Sequence, residues 1–312
     1  MRFHHVSVMP VETIEYLNCT PGKIYVDCTL GGSGHAGRIC KKIQPGGTLI
    51  GIDQDIDAIN NAQAVLKQAG GVIHLVHDNF VHLPAILSRL DIQAADGILL
   101  DLGLSLHQIE ASGRGFSFSR DEPLDMRMNI ESDLRAEDIV NSENEAALTK
   151  IFKTYGEERR ARQIARKIVS QRKRQRIRTS RQLSQTVLAA VPKENRRKAK
   201  IHPATRVFMA LRIAVNKELV RLDSFLDFAV DCLNQGGRLC IISFHSLEDR
   251  RVKHKFREFE KGCTCPPKFP QCICGNKPAA KILTRKVVIP TREEIDNNPM
   301  ARSAKLRVLE KL

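Results

Sequence analysis

Residues 24–38 read Ile-Tyr-Val-Asp-Cys-Thr-Leu-Gly-Gly-Ser-Gly-His-Ala-Gly-Arg, and this stretch decides the fold. Ile24, Tyr25 and Val26 are β-branched or aromatic and predict a short buried strand that ends at Asp27. Gly31, Gly32, Gly34 and Gly37 follow, and Arg38 to Ile43 continues in a helix-compatible pattern. A strand, a glycine-rich turn and a helix start suit a nucleotide for two reasons. Glycine lets the backbone come close to a ligand. The first turn of a helix carries N–H groups with no partner inside the helix.

Gly32 to Gly37 fits G-x-G-x-x-G, a pattern that means little without its surroundings. Here the surroundings agree. Pro45-Gly46-Gly47 marks a turn, Thr48 to Ile52 predicts a second strand, and Asp53 ends it. An acid about 20 residues past the glycines is where a ribose hydroxyl pair is usually held. Val72 to Val76 predicts a third strand, followed by His77-Asp78-Asn79-Phe80, and Gly97 to Leu100 a fourth, ending in Asp101. Helices are expected at 11–17, 56–68 and 83–90. The alternation predicts an α/β fold with a parallel sheet and right-handed crossovers. Ligands in such sheets bind beyond the carboxyl ends of the strands.

The acids bear on which nucleotide binds. A pyrophosphate cofactor wants positive charge at the loop, whereas Asp27, Asp53, Asp78 and Asp101 ring the site with negative charge. A ligand with a ribose, an adenine and a cation fits that ring, and S-adenosylmethionine has all three. It is therefore preferred to NAD.

At 312 residues the chain can hold one large or two modest domains, and 42% hydrophobic residues are ample for a core. A net charge of +15 points to a polyanionic partner. The first twenty residues contain Arg2, Glu12 and Glu15 and no long apolar run, so no membrane segment and a cytoplasmic location are expected. Nine scattered cysteines argue against a disulfide framework.

The character changes after residue 103. Residues 104–125 have no clear period, and a long loop beside a site is usually functional. Residues 130–205 predict helices throughout, including 143–155, 157–171 and 180–190, with no strand pattern between them. An inserted helical domain over 111–205 follows, dividing an α/β domain of 1–110 and 206–312. Residues 131–145 are acidic, but eleven Lys or Arg residues and no acid lie from Arg159 to Arg181. On an ordinary solvated face the two signs alternate. Arg172, Lys173, Arg174, Arg176 and Arg178, with Arg196, Arg197 and Lys198, are therefore expected to bind RNA phosphates. Single-stranded RNA is also read by stacking on aromatics, and the local supply is Phe152, Tyr155 and Phe208.

Beyond residue 205 the α/β pattern returns. Residues 207–228 predict one amphipathic helix, and Arg238 to Phe244 a fifth strand leading to His245. That histidine falls at the same sheet edge as the four acids and is a candidate for the chemistry. Cys263, Cys265, Cys272 and Cys274 form two C-x-C pairs that could close a zinc site or stand as reduced thiols in a surface loop. Cys19, Cys28, Cys40, Cys232 and Cys240 read as buried apolar residues. Residues 286–289 and 306–308 are expected to complete the sheet.

Several stretches together resemble the bacterial RsmH (MraW) family of small-subunit ribosomal RNA cytosine-N4 methyltransferases. They are the Asp27–Arg38 loop, Ile52-Asp53-Gln54-Asp55, Asp96 to Gly103, Arg114-Gly115-Phe116-Ser117-Phe118, Pro123 to Met128, Tyr155 to Arg159, His202 to Arg206, and Ile242 to Arg250. The resemblance runs from His5 to Asn298–Ser303. It implies a Rossmann-like class I methyltransferase sheet interrupted by a helical domain. It also implies methyl transfer from S-adenosylmethionine to a cytidine N4 in the decoding centre of 16S ribosomal RNA, either free or in the small subunit. By position, the implied cofactor contacts are Ser33, Gly34, His35, Asp53, Phe80, Asp101 and Gln108. Ser33 stands where the family often has Gly, and Leu106-His107 where it has Ser-Pro. Asp101 occupies the place of the acid in the acid-Pro-Pro-aromatic motif of many amino-methyltransferases, but Leu102-Gly103-Leu104 follow it. Asp101 and His245 are the catalytic candidates, with Asp125 a weaker one. The rival readings are a NAD-dependent oxidoreductase and a non-catalytic RNA-binding assembly factor.

Overall fold

The computed structural model describes residues 7–192, 194, 201–263, 265, 271 and 273–312. The chain divides into two compact units, Met1–Leu104 with Val220–Leu312, and Ser105–Leu219. The division falls nearer to residues 104 and 219 than to the expected 110 and 205.

The described residues of the first unit form a seven-stranded sheet. Its strands are β1 (Ile24–Asp27), β2 (Thr48–Asp53), β3 (Val72–His77), β4 (Ala95–Asp101), β5 (Leu233–Ser243), β6 (Ala280–Ile282) and β7 (Lys305–Lys311). Their order is β3-β2-β1-β4-β5-β7-β6. β1 to β5 run parallel, and β7 enters antiparallel between β5 and β6. The order reverses at β1 and β4, so the crevice for a ligand lies beyond the carboxyl ends of those strands.

The apolar runs are explained by burial on both faces. Ile98 and Leu100 of β4 pack with Val26, Ile50, Ile241 and Phe225 on one face. Leu99 packs with Tyr25, Leu49, Ile242 and Val308 on the other. Helices Gly34–Ile43 and Ile56–Leu66 put Ile39, Cys40, Ile59 and Ala62 into the second cluster.

Three expectations are corrected. The sheet edge is the short β6, and Val288 adds only an isolated bridge to Leu306. Residues 207–228 are two helices, Ala204–Asn216 and Glu218–Phe228, separated by Lys217 at φ +52°. The apolar spacing runs on through that break, which is why the sequence alone does not reveal it. Residues 106–110, within the stretch with no clear period, form a short helix capped by Ser105.

In the second unit, helix Glu145–Gly156 packs against Ala161–Arg172 and Ala204–Asn216, and Ala161–Arg172 packs against Ser180–Ala190. This packing assigns Ala204–Asn216 to the helical unit. A Cβ on Gly156 would lie 2.6 Å from the Arg206 carbonyl oxygen, so the two helices approach as only glycine permits. Asn216 ties the unit together. Its Oδ1 accepts from the Met128 N–H at 2.8 Å, and its Nδ2 donates to the Met126 and Arg212 carbonyls. Among the described residues, no helix is long and apolar enough to cross a membrane.

Candidate functional site

Strand register sets the depth of each acid. Asp27 pairs with Gly51 and Leu99, so Asp53 and Asp101 lie two residues further along their strands. That is a step of about 7 Å at the usual rise per residue. The chain leaving β1 turns between them, with the Ser33 N–H donating to the Leu30 carbonyl at 2.6 Å. Ser33 holds φ at +63° and starts helix Gly34–Ile43 without capping it through its side chain.

Asp53 is fixed by its own loop. Its two carboxylate oxygens accept from the N–H groups of Gly31 and Asp55, each at 2.9 Å. The Asp101 N–H donates to Thr29 Oγ1 at 2.7 Å. His35 Nε2 lies 3.6 Å from Asp101 Oδ2, just beyond hydrogen-bond length. Gly34 has a local reason to be glycine, because a Cβ there would lie 2.0 Å from Ser7 Oγ.

Charge and burial conflict here. Asp27 is fully buried, and that burial, with the nearby Asp101 and Asp53 carboxylates, pushes its pKa up to about 7. Burial likewise pushes Asp53 up to about 6, against the N–H groups of Gly31 and Asp55. For His35, burial favours the neutral ring but Asp101 and Asp27 outweigh it, so its pKa is raised. Asp78 is different. Burial opposes its charge, but His82 Nδ1 at 2.6 Å, the Asn79 N–H and Arg89 hold it below the usual range. Its charge is satisfied locally, and the coupled acids are Asp27, Asp53 and Asp101.

Five buried polar atoms in this cluster make no hydrogen bond within the chain: Asp27 Oδ2, Ser33 Oγ, both His35 ring nitrogens and Asp101 Oδ1. Buried polar atoms are almost always paired, so a group of them at the switch point fits a polar ligand. The excess of carboxylates over cations suits a ligand that carries positive charge. Beyond β3, Asn79 caps the next turn through the Val81 N–H, and its Nδ2 donates to Gln54 Oε1. Phe80 is 8% exposed and meets Phe225 edge-on at 5.4 Å.

His245 has a local task. It caps helix Ser246–Lys261, its Nδ1 accepting from the Glu248 N–H at 3.4 Å. Glu248 reaches back to the Phe244 and His245 N–H groups, which completes a capping box.

In the helical unit, Gln108 is buried and its Oε1 accepts from the Ser105 N–H at 3.0 Å. Asp125 is gripped by both arms of Arg127, at 2.8 Å each, and these bonds outweigh burial to hold its pKa low. That pairing ties the carboxylate to its own loop.

The basic run is partly neutralised from within. Arg176 pairs with Glu137 at 2.7 Å, and Arg162 and Arg166 lie within 4 Å of Glu145. Arg172 donates to the Val140 carbonyl at 2.8 Å. Lys173, Arg174 and Arg178 are exposed. Arg196, Arg197 and Lys198 lie outside the described residues. Phe152 and Phe208 are buried, so they offer no stacking face. The sequence reading missed another aromatic pair: half-buried Phe118 stacks on exposed His202 with centroids 4.4 Å apart. Both lie within the quoted family-like stretches, but nothing local pairs them. Of the two C-x-C pairs, Cys263, Cys265 and Cys274 converge, and Cys272 lies outside the described residues.

The chain matches the model of the MraW methylase family over residues 2–312. It is 57% identical over 308 residues to "Ribosomal RNA small subunit methyltransferase H" of Desulforapulum autotrophicum, covering 99% of each chain. It is 54% identical to the protein of that name from Desulfosudis oleivorans and 51% identical to one from Clostridium botulinum, each over the full length of both chains.

Proposed function

The chain belongs to the MraW methylase family, and we propose that it moves a methyl group from S-adenosylmethionine to the exocyclic N4 of a cytidine in the decoding centre of 16S ribosomal RNA. The observation that carries the cofactor reading is the group of buried polar atoms without partners beside Asp27, Asp53 and Asp101. S-adenosylmethionine supplies an electrophilic methyl on a cationic sulfur, the charge that three coupled carboxylates favour. Ser33, Gly34, His35, Asp53, Phe80 and Asp101 are the residues assigned to hold it, with Asp53 taking the ribose hydroxyls.

The lone pair of a cytosine amine is delocalised into the ring, so the amine must be held in line at near-attack distance. An acceptor on its N–H favours a pyramidal nitrogen and stabilises the positive charge that develops there. Asp101 is our choice for that acceptor, with the His35 ring 3.6 Å from its carboxylate. The proton becomes acidic once the nitrogen is alkylated, so a strong base is unnecessary. His245, engaged as a helix cap, is assigned a positioning role for the β5 end.

The helical unit is our choice for RNA. Lys173, Arg174 and Arg178 would meet phosphates, and the Phe118–His202 stack offers an aromatic face for a base. The small ribosomal subunit as substrate makes the cytoplasm the expected location.

Thermal unfolding tests the cofactor assignment. Ligand at 100 times its Kd stabilises by about 2.7 kcal/mol. S-adenosylmethionine should raise the melting temperature while NAD leaves it unchanged. A rise with NAD alone would favour the oxidoreductase.

A further inference from the structure

The stretch between helix Ser246–Lys261 and β6 is not used by the methyltransferase reading. Its ends are clamped together. The Ala279 N–H donates to the Phe259 carbonyl at 2.9 Å. A Cβ on Gly262, at φ +65°, would lie 2.3 Å from the Lys277 carbonyl carbon. The described residues of the excursion between these ends bury little apolar surface. Ile273 is 75% exposed, and the described residues of the loop contribute no buried hydrophobic side chain. Short segments without a core need a staple.

The thiols provide one. The Sγ atoms of Cys263, Cys265 and Cys274 all lie within 4.8 Å of one another. Those of Cys263 and Cys274 are 3.8 Å apart. Two thiolates bound tetrahedrally to zinc at the usual bond length stand about 3.8 Å apart, so this spacing already matches a shared ion. A disulfide needs about 2.05 Å. The Ile273 N–H points at Cys265 Sγ at 3.4 Å, the kind of backbone bond that steadies a metal-bound thiolate. Elsewhere burial pushes the thiol of Cys19 up to about 12 and those of Cys40 and Cys232 up to about 11, which keeps them protonated.

We infer that Cys263, Cys265 and Cys274 bind a structural zinc ion beyond the end of helix Ser246–Lys261. The zinc does not depend on the methyltransferase reading, because none of these residues belongs to that site.

The test uses the full chain, purified with reductant, dialysed against zinc and then against buffer. Elemental analysis should give one zinc per chain. Replacing it with cobalt(II) should give thiolate charge-transfer absorption and the strong visible bands of a tetrahedral ion. The double variant Cys263→Ser/Cys274→Ser should lose the metal, and Cys19→Ser should keep it. A metal-free wild-type chain would overturn the inference. So would a weak octahedral cobalt spectrum, a Cys263–Cys274 disulfide in peptide maps, or full zinc retention in the double variant. The cobalt spectrum of the unaltered chain decides the matter even where a serine variant folds poorly.

Discussion

His35 Nε2 stands 3.6 Å from Asp101 Oδ2, and both side chains are largely buried at the carboxyl end of the sheet. Asp27 lies deeper, and the charges of the three groups act on one another. With both acids ionised, the three groups sum to minus one when the histidine is protonated and to minus two when it is not.

Asp101→Asn keeps the shape and removes one charge. The methyl donor is a cation and its demethylated product is a neutral thioether. Affinity for the donor should fall by about 1.5–3 kcal/mol, the worth of a bond to a charged group, and affinity for the product should fall less. Calorimetric titration of both ligands measures the difference. Equal losses would remove charge recognition from the account.

Asp53→Ala should cost about 1.5–3 kcal/mol of cofactor binding through the ribose. It also orphans the Gly31 and Asp55 N–H groups, so the unliganded chain should melt earlier. Asp53→Asn keeps one of the two acceptor oxygens, so it should cost less stability than Asp53→Ala while still weakening the ribose contact. Unchanged cofactor affinity in both variants would end the ribose role.

The pH dependence has a definite sign. Asp27 titrates at about 7 and Asp53 at about 6 in the folded chain, both above an unfolded aspartate. The folded state therefore binds more protons than the unfolded state between about pH 4 and 7, and unliganded stability falls as pH rises through that window. His35 acts in the same direction, because its raised pKa favours the protonated form that is lost as pH rises. A cationic ligand prefers the ionised acids, so its affinity should rise over the same range. Melting curves with and without S-adenosylmethionine at several pH values test both. Parallel curves would contradict the coupling.

The cations of the helical unit should divide by exposure. Replacing Lys173, Arg174 and Arg178 with alanine should lower the salt slope of RNA binding by up to about 0.7 per lost phosphate contact on single strands. Arg172→Ala should act mainly on stability, by about 1 kcal/mol, because it loses the Val140 carbonyl. An unaltered slope in the triple variant would return these residues to a solvated face.

Asn216→Ala removes three hydrogen bonds and leaves the Met128 N–H and Met126 carbonyl buried without their partner. A loss of about 3 kcal/mol in the helical unit is expected, read from denaturant unfolding. A loss below about 1 kcal/mol would mean that water replaces the side chain.

Much of the sheet was legible because its signals are local. Apolar runs ending in Asp27, Asp53, Asp78 and Asp101 mark four strands and their carboxyl ends without any long-range knowledge. What escaped depends on distant partners or on backbone alone. Ser7 makes Gly34 obligatory, and Phe118 meets His202, through contacts that no sequence period encodes. The pairing of Glu137 and Glu145 with the basic run required knowing that the acidic segment folds back on it. Lys217 breaks a helix by adopting positive φ, although its neighbours keep the apolar spacing. His245 drew notice for its place at the sheet edge, a position that its capping bond explains as well as chemistry does.

The central claim is methyl transfer to cytidine N4, and one measurement addresses it directly. Small ribosomal subunits from cells lacking this protein would be incubated with the purified chain and S-adenosylmethionine labelled on its methyl group. The RNA would then be digested to nucleosides. The account predicts label in N4-methylcytidine, and its loss with Asp101→Asn. Label in any other nucleoside, or none from a chain that binds the cofactor, would contradict it.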